Sequence, residues 1–361
     1  MYVTRNLRVR FVTPAFLGNA EQQAQWRTPP IKALLRQWWR VAAAEGLDFK
    51  YERLREREAT LFGHAWLEND RDSRGRKVNG RKSSVTIRFS NWAGRQPSNW
   101  PGGPMEQVVT TRDGKGRVRS DLYLGYGAVL PPSKKEGRSA ISLRAGGAIA
   151  EGEENQVALR FPGDGKLEET LQLIGWFGSL GSRSRNGWGS LQVEGQNLPR
   201  GTDIEPFSRP FSECMSLDWP HALGRDELGA LCWVTTEPKK GWREVIGTLA
   251  RIKVAVRAEA KRFKDRSGIG GVHLLGYPAG AAWELREFPG TARLAAQLRF
   301  KVFQTQSGLA GIVYHLPAKL PSVLRNRLTE KQKRWLDSNE LAVWEAVHGC
   351  LDNDSRIQRL P

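Results

Sequence analysis

Trp26-Arg-Thr-Pro-Pro-Ile-Lys-Ala-Leu-Leu-Arg-Gln-Trp-Trp-Arg40 reads as a proline-started helix with one apolar and one basic face. At about 100° per residue, Ile31, Leu34, Leu35, Trp38, Val41 and Ala42 fall on one stripe, and Lys32, Arg36 and Arg40 recur at i, i+4, i+8 on roughly the opposite side. Pro29 and Pro30 suit a first turn, which needs no amide donors, and Thr28 is placed to cap it. Three cations stacked at that interval repel by about 0.2–0.5 kcal/mol per pair, which calls for an anion beside them. Two readings of the basic face stay open: an anion-binding surface, or a solvated one.

Composition favours the first. The 361 residues include 56 Lys and Arg against 38 Asp and Glu, a formal charge of +18, as expected of a protein that binds a polyanion, nucleic acid foremost. A membrane partner is not expected, because no run approaches the ~20 apolar residues of a spanning helix. The start, Met1-Tyr-Val-Thr-Arg-Asn-Leu-Arg-Val-Arg-Phe11, alternates like a strand and has no apolar signal block, which points to a cytoplasmic protein. Cys214, Cys232 and Cys350 are too far apart for a zinc site or a disulfide framework and read as buried small hydrophobes. Neither a metal nor a cofactor is expected.

Outward from the helix, a strand at 3–12 precedes it through Thr13-Pro-Ala-Phe-Leu-Gly18, and the charged stretch 45–58 continues helical. Residues 69–84 and 110–119 read as basic loops, the first of them mobile. Strands are expected at 84–90, 139–144 and 156–161, and a helix at 166–180. Three prolines and few periodic apolar positions mark 197–216 as a linker, dividing the chain into domains at 1–196 and 217–361. The second half reads as a strand at 231–235, a basic amphipathic helix at 242–264, strands at 293–303 and 311–316, a helix opened by the capping box Thr329-Glu-Lys-Gln332, and another at 337–350. Interleaved strands and helices make the class α+β.

The second strong motif is Gly175-Trp-Phe-Gly-Ser-Leu-Gly-Ser-Arg-Ser-Arg-Asn-Gly-Trp-Gly-Ser190. Gly178, Gly181, Gly187 and Gly189 allow positive φ and close backbone approach, so that several amides can turn toward one phosphate. Arg183 and Arg185 supply guanidiniums, Ser182 and Ser184 supply hydroxyls, and Trp188 has a ring that can stack on a base. A plain glycine turn with two solvated arginines is the competing reading. No G-x-x-x-x-G-K-[ST] occurs, and the helix precedes the glycines, which excludes both the P-loop and the dinucleotide fingerprint.

In this order, Thr13-Pro-Ala-Phe-Leu-Gly18, Pro30-Ile-Lys-Ala-Leu-Leu-Arg-Gln-Trp-Trp-Arg40, Leu61-Phe-Gly63, Tyr123-Leu-Gly-Tyr-Gly127 and Gly181-Ser-Arg-Ser-Arg-Asn-Gly-Trp-Gly189 resemble the RAMP superfamily of CRISPR proteins, most of all the first subunits of Cmr (type III-B) effector complexes. The likeness covers residues 1–195, with Leu274-Leu-Gly-Tyr-Pro278 and Leu298-Arg-Phe-Lys-Val302 as weaker echoes in the second half. Ala33, Gln37 and Arg293-Leu294 depart from the family pattern, where a glycine, an aromatic residue and a basic pair are usual. The resemblance implies two ferredoxin-like (β-α-β-β-α-β) RAMP/RRM-like domains with a glycine-rich loop. It also implies a non-catalytic subunit that holds guide RNA near its 3′ end together with target RNA, beside other Cmr subunits, in antiviral defence. The expected RNA-binding residues are Lys32, Arg36, Arg40, Gly181, Ser182, Arg183, Ser184, Arg185, Gly187, Trp188 and Gly189.

Two alternatives follow from the same chain. Some RAMP relatives cleave the guide precursor with a histidine as general acid or base; His64, after Leu61-Phe-Gly63, is the candidate here, although no partner for it is evident in the sequence. Asp113 has the residue type for metal-dependent cutting, but Asp-Gly is ordinary turn chemistry. A scaffold that binds protein alone is the other alternative; the excess of Lys and Arg argues against it, since interface cores are depleted in charge.

Overall fold

In the computed structural model the described residues are all except 22, 66–69, 72–73, 99, 102–107, 111–115, 145–146, 164 and 280–283. They form a mixed α/β protein with several antiparallel sheets, of α+β class. The chain divides into two compact units. Unit 1 holds Met1–Trp100, Leu143–Ser184 and Trp188–Leu198, and unit 2 holds Pro101–Ser142, Arg185–Gly187 and Pro199–Pro361. This division differs from the one expected at 197–216. Residues from Pro199 onward belong to unit 2, and within the expected linker the strand Ser208–Pro210 pairs in parallel with Leu223–Asp226.

Unit 1 runs β1 (Tyr2–Phe11), α1 (Thr28–Ala44), α2 (Tyr51–Phe62), β2 (Thr86–Phe89), β3 (Glu154–Pro162), α3 (Leu167–Phe177), β4 (Leu191–Val193). Its sheet has the order β2-β3-β1-β4, every pair antiparallel. Alternation sets the inner face: Val9 and Phe11 on β1 and Val157, Leu159 and Phe161 on β3 are buried. Against it pack α1 and α3, with Trp38 and Phe177 stacked at 5.4 Å and Phe11 and Trp26 at 4.5 Å. The buried stripe of α1 is wider than its period suggests. Trp39 is also buried, its Nε1 donating to Gly165 O at 3.0 Å, while Ala42 is half-buried. Arg27 is the N-cap and Thr28 the first helical residue, one position from the expected start.

Other departures have local causes. The charged stretch 45–58 is not one helix, because Asp48 (φ 56°) and Phe49 (φ 54°) take left-handed conformations between a 3-10 turn at Glu45–Leu47 and α2. The strand expected at 139–144 is reduced to Ser142–Leu143.

Unit 2 contains β5 (Cys232–Thr235), α4 (Trp242–Ala260), β6 (Leu298–Thr305), β7 (Gly308–His315), α5 (Glu330–Asp352) and β8 (Ile357–Arg359). Its sheet order is β6-β7-β5-β8, again all antiparallel. The named elements of unit 2 thus run strand, helix, strand, strand, helix, strand; unit 1 runs the same way with α2 as a second helix after α1, and in both sheets the four strands are ordered second, third, first, fourth. The two helices expected after Thr329 are one continuous helix, and both arms of the capping box form, Gln332 N–H to Thr329 Oγ1 at 3.3 Å and Thr329 N–H to Gln332 Oε1 at 2.9 Å. Cys214 and Cys232 are buried as expected, and Cys350 is only half-buried. Among the described residues no helix is long and apolar enough to cross a membrane.

Candidate nucleic-acid interface

The glycine loop is fixed at its neck by the segment that follows β1. Ser190 N–H donates to Thr13 Oγ1 at 3.0 Å, Gly189 N–H to Pro14 O at 2.9 Å and Ser182 N–H to Phe16 O at 3.0 Å. Leu180 N–H closes the neck onto Gly189 O at 2.8 Å. Glycine is required here for two reasons. Gly181 (φ 92°) and Gly189 (φ 58°) are left-handed, and a Cβ at Gly189 would lie 1.9 Å from Leu180 O. The motifs 13–18 and 181–189, distant in sequence, are thus one piece of structure. The lacing also revises an expectation, because the amides of Leu180, Ser182, Gly189 and Ser190 are engaged with the protein and do not gather on a phosphate.

The anion-binding capacity of the loop therefore rests on side chains. Arg183, itself left-handed at φ 59°, is exposed, as are Ser182 and Arg185, and Ser184 is half-buried. Among the described residues neither guanidinium is hydrogen-bonded or ion-paired to a protein group. Surrounding protein lowers the pKa of both, most of all by desolvation, even though Arg185 keeps exposed surface; the Tyr314 phenol opposes the shift at Arg185.

Within unit 2, Asn186 pins the tip of the loop. Its Nδ2 donates to Leu124 O at 2.8 Å, its Oδ1 accepts from Lys253 Nζ at 2.7 Å, and Phe300 N–H donates to Arg185 O at 3.0 Å. The Tyr123–Gly127 motif meets the loop here, through the short helix Ser120–Gly125. Gly187 (φ 87°) is buried, and a Cβ on it would press Ile246 at 3.1 Å. Trp188 departs from its expected role. It is fully buried, with ring centroids 5.1 Å from Phe16 and 5.0 Å from Trp100, so it packs the loop down and offers no face to a base.

On α1 the anion required by the stacked cations is the protein's own. Glu58 of α2, 3% exposed, accepts from Arg36 Nε at 2.5 Å, from Arg40 Nε at 2.6 Å and from Arg40 Nη2 at 2.9 Å. The two arginines keep 35% and 44% of their side-chain surface, so they are oriented and half neutralised, not freely solvated. Lys32 is half-buried, and burial followed by the Arg36 charge lowers its pKa.

His64 has the partner that its sequence context lacks. Its Nε2 lies 2.6 Å from Asp70 Oδ2, and Arg81 grips the same carboxylate through Nε at 2.5 Å and Nη2 at 2.7 Å. The Arg81 hydrogen bond foremost holds the Asp70 carboxyl down at about 2. The His64 side chain is 1% exposed. This clasp ties Asp70 and Arg81 to His64 at the end of α2, in a stretch where a mobile loop is expected from composition. Asp113 lies outside the described residues. Among those described, no cluster of three or more His, Cys, Asp or Glu is placed to hold a metal ion.

Neither a family model nor a curated protein matches the sequence. Solved structures do. The chain is similar to Cmr1 from Pyrococcus furiosus in its apo form, with 15% identity, 93% of this chain and 96% of that chain covered, and a TM-score of 0.44. It is also similar to a chain of the type III-B Cmr-beta complex bound to cognate target RNA, at 11% identity, with 97% and 99% covered and a TM-score of 0.42. A chain of the same complex bound to cognate target RNA and AMPPnP in the presence of ssDNA matches at 11% identity, with 97% and 100% covered and a TM-score of 0.46.

Proposed function

We propose that the chain is a non-catalytic RNA-binding subunit of a type III-B (Cmr) CRISPR effector complex. In this reading it contacts guide RNA near its 3′ end and the guide–target duplex, beside other Cmr subunits. In this reading the two units are two ferredoxin-like domains, and the strand order second, third, first, fourth in each four-stranded sheet supports it. The observation that carries the reading is the pair Arg183 and Arg185: two guanidiniums with no carboxylate partner among the described residues, on a loop hydrogen-bonded at its neck, in a chain of net charge +18. A polyanion backbone neutralises such a pair with charge-assisted hydrogen bonds, while guide–target base pairing reads sequence. Arg36 and Arg40, braced by Glu58, supply a second cationic edge.

The histidine-nuclease alternative is disfavoured by the burial of His64 and by the grip of Arg81 on Asp70, the carboxylate that His64 contacts. Co-expressing the chain with its genomic neighbours and sequencing the RNA that copurifies tests the proposal. Protected RNA of repeat-spacer origin is expected; a stable assembly without RNA would contradict it.

A further inference from the structure

The edge strand of the unit 2 sheet carries a cation that no described carboxylate accompanies. Arg299 on β6 is 4% exposed, and its Nε makes no hydrogen bond. Directly across the ladder from it is Tyr314, 3% exposed, which hydrogen-bonds the Arg299 side chain. On the other side, the free edge of β6 is extended by the parallel bridge between Asn186 and Phe300, with Phe300 N–H donating to Arg185 O. That bridge sets Arg185 beside Arg299, so Arg185, Arg299 and Tyr314 form one row on one face across neighbouring strands, about 4.8 Å apart per step.

Like charges directly opposite one another in a sheet destabilise it. The groups acting on Arg299 are the Tyr314 phenol and the Arg185 guanidinium, and desolvation foremost lowers its pKa only to about 10, so it is charged at neutral pH. A buried guanidinium with an open donor, beside a second guanidinium, is the arrangement a phosphate completes: its oxygens accept from both arginines, and the phenol donates the third hydrogen bond.

We propose that Arg185, Arg299 and Tyr314 form a phosphate site within unit 2 that takes one phosphodiester of the bound RNA. The proposal rests on the RNA-binding reading for the source of the phosphate, but not for the site itself. In sequence Arg299 gives no sign of this place, because Leu298-Arg-Phe-Lys-Val302 alternates as a half-exposed strand does, with its two cations on the face that would meet solvent.

The test uses the full chain and two probes. Thermal melts compare inorganic phosphate with chloride at equal ionic strength, and fluorescence anisotropy follows a labelled single-stranded RNA across a salt series. The wild type should melt higher in phosphate, and Arg299→Met and Arg185→Gln should each lose that shift. RNA affinity should fall about tenfold in Arg299→Met, with the log–log salt slope smaller by roughly 0.7, the contribution of one phosphate. A folded Arg299→Met protein that keeps the phosphate shift, the affinity and the slope overturns the site. If that variant does not fold, Arg185→Gln decides by the same phosphate shift, with Tyr314→Phe as a second probe of the phenol. Loss of the phosphate shift in the variants of a wild type that binds no RNA upholds the site and removes the RNA reading.

Discussion

Arg40 places two donors on the buried carboxylate of Glu58, Nε on Oε2 at 2.6 Å and Nη2 on Oε1 at 2.9 Å, and so joins α1 to α2 beneath a surface of like charges. Removing both arginines strands that carboxylate, so Arg36→Ala/Arg40→Ala should cost about 3 kcal/mol of stability. Replacing all three side chains with methionine should recover most of it. Urea unfolding of the double and triple variants checks this; an Arg36→Ala/Arg40→Ala protein as stable as wild type would mean the bridge adds nothing.

Glu340 should oppose folding at neutral pH. Burial, above all, raises its pKa from 4.5 to about 6, although Leu320 N–H donates to its Oε1 at 3.1 Å. A carboxyl raised on folding contributes stability below its unfolded pKa and loses it as pH rises through the folded one. The loss therefore falls between about pH 4.5 and 6. Glu340→Gln keeps an acceptor for Leu320 without the charge, and should stabilise the protein by roughly 1–2 kcal/mol at pH 7.5 and by nothing at pH 4. Melts of both proteins across that range measure it.

How far the sequence disclosed this arrangement depended on range. Pro29 and Pro30, the α1 stripe and the Thr329 cap are local signals with fixed periods or offsets, and each located its helix within a residue or two. The demand for glycine at 181 and 189 was legible for the same reason. Glu58 was not, because it meets Arg36 and Arg40 across two helices, and neither was the tie from Ser182 to Phe16. Asp48 and Phe49 broke a helix, with Gly46 two residues upstream as the one local sign in the sequence. Trp188 was misread as a stacking residue because a tryptophan in a basic loop carries no mark of the Phe16 and Trp100 rings that bury it.

Trp188 and Gly189 should report on loop shape. Trp188→Ala empties a fully buried site and should cost about 3–5 kcal/mol. Gly189→Val drives a Cβ into Leu180 O and should break the neck of the loop, reducing RNA affinity with every charge still present. Melts and RNA binding of the two variants, compared side by side, separate packing from contact. A Trp188→Ala protein with wild-type stability and lost RNA affinity would restore the base-stacking role.

Purified chain incubated with repeat RNA, with and without divalent metal, should give no cleavage product. Asp70 is committed to Arg81, and the His64 side chain is enclosed. Cleavage that disappears in His64→Ala would replace the binding role with an enzymatic one.

Whether Arg183 and Arg185 hold RNA phosphates is read by fluorescence anisotropy of labelled guide RNA with wild type and Arg183→Ala/Arg185→Ala over a salt series, with thermal melts alongside. Charge-assisted contacts are worth about 1.5–3 kcal/mol each, and a single-stranded phosphate contributes roughly 0.7 to the log–log salt slope. In the double variant affinity should fall by about tenfold or more and the slope shrink by roughly 0.7–1.4, with a melting temperature close to wild type. Unchanged affinity and slope in the folded variant would contradict that role for the pair.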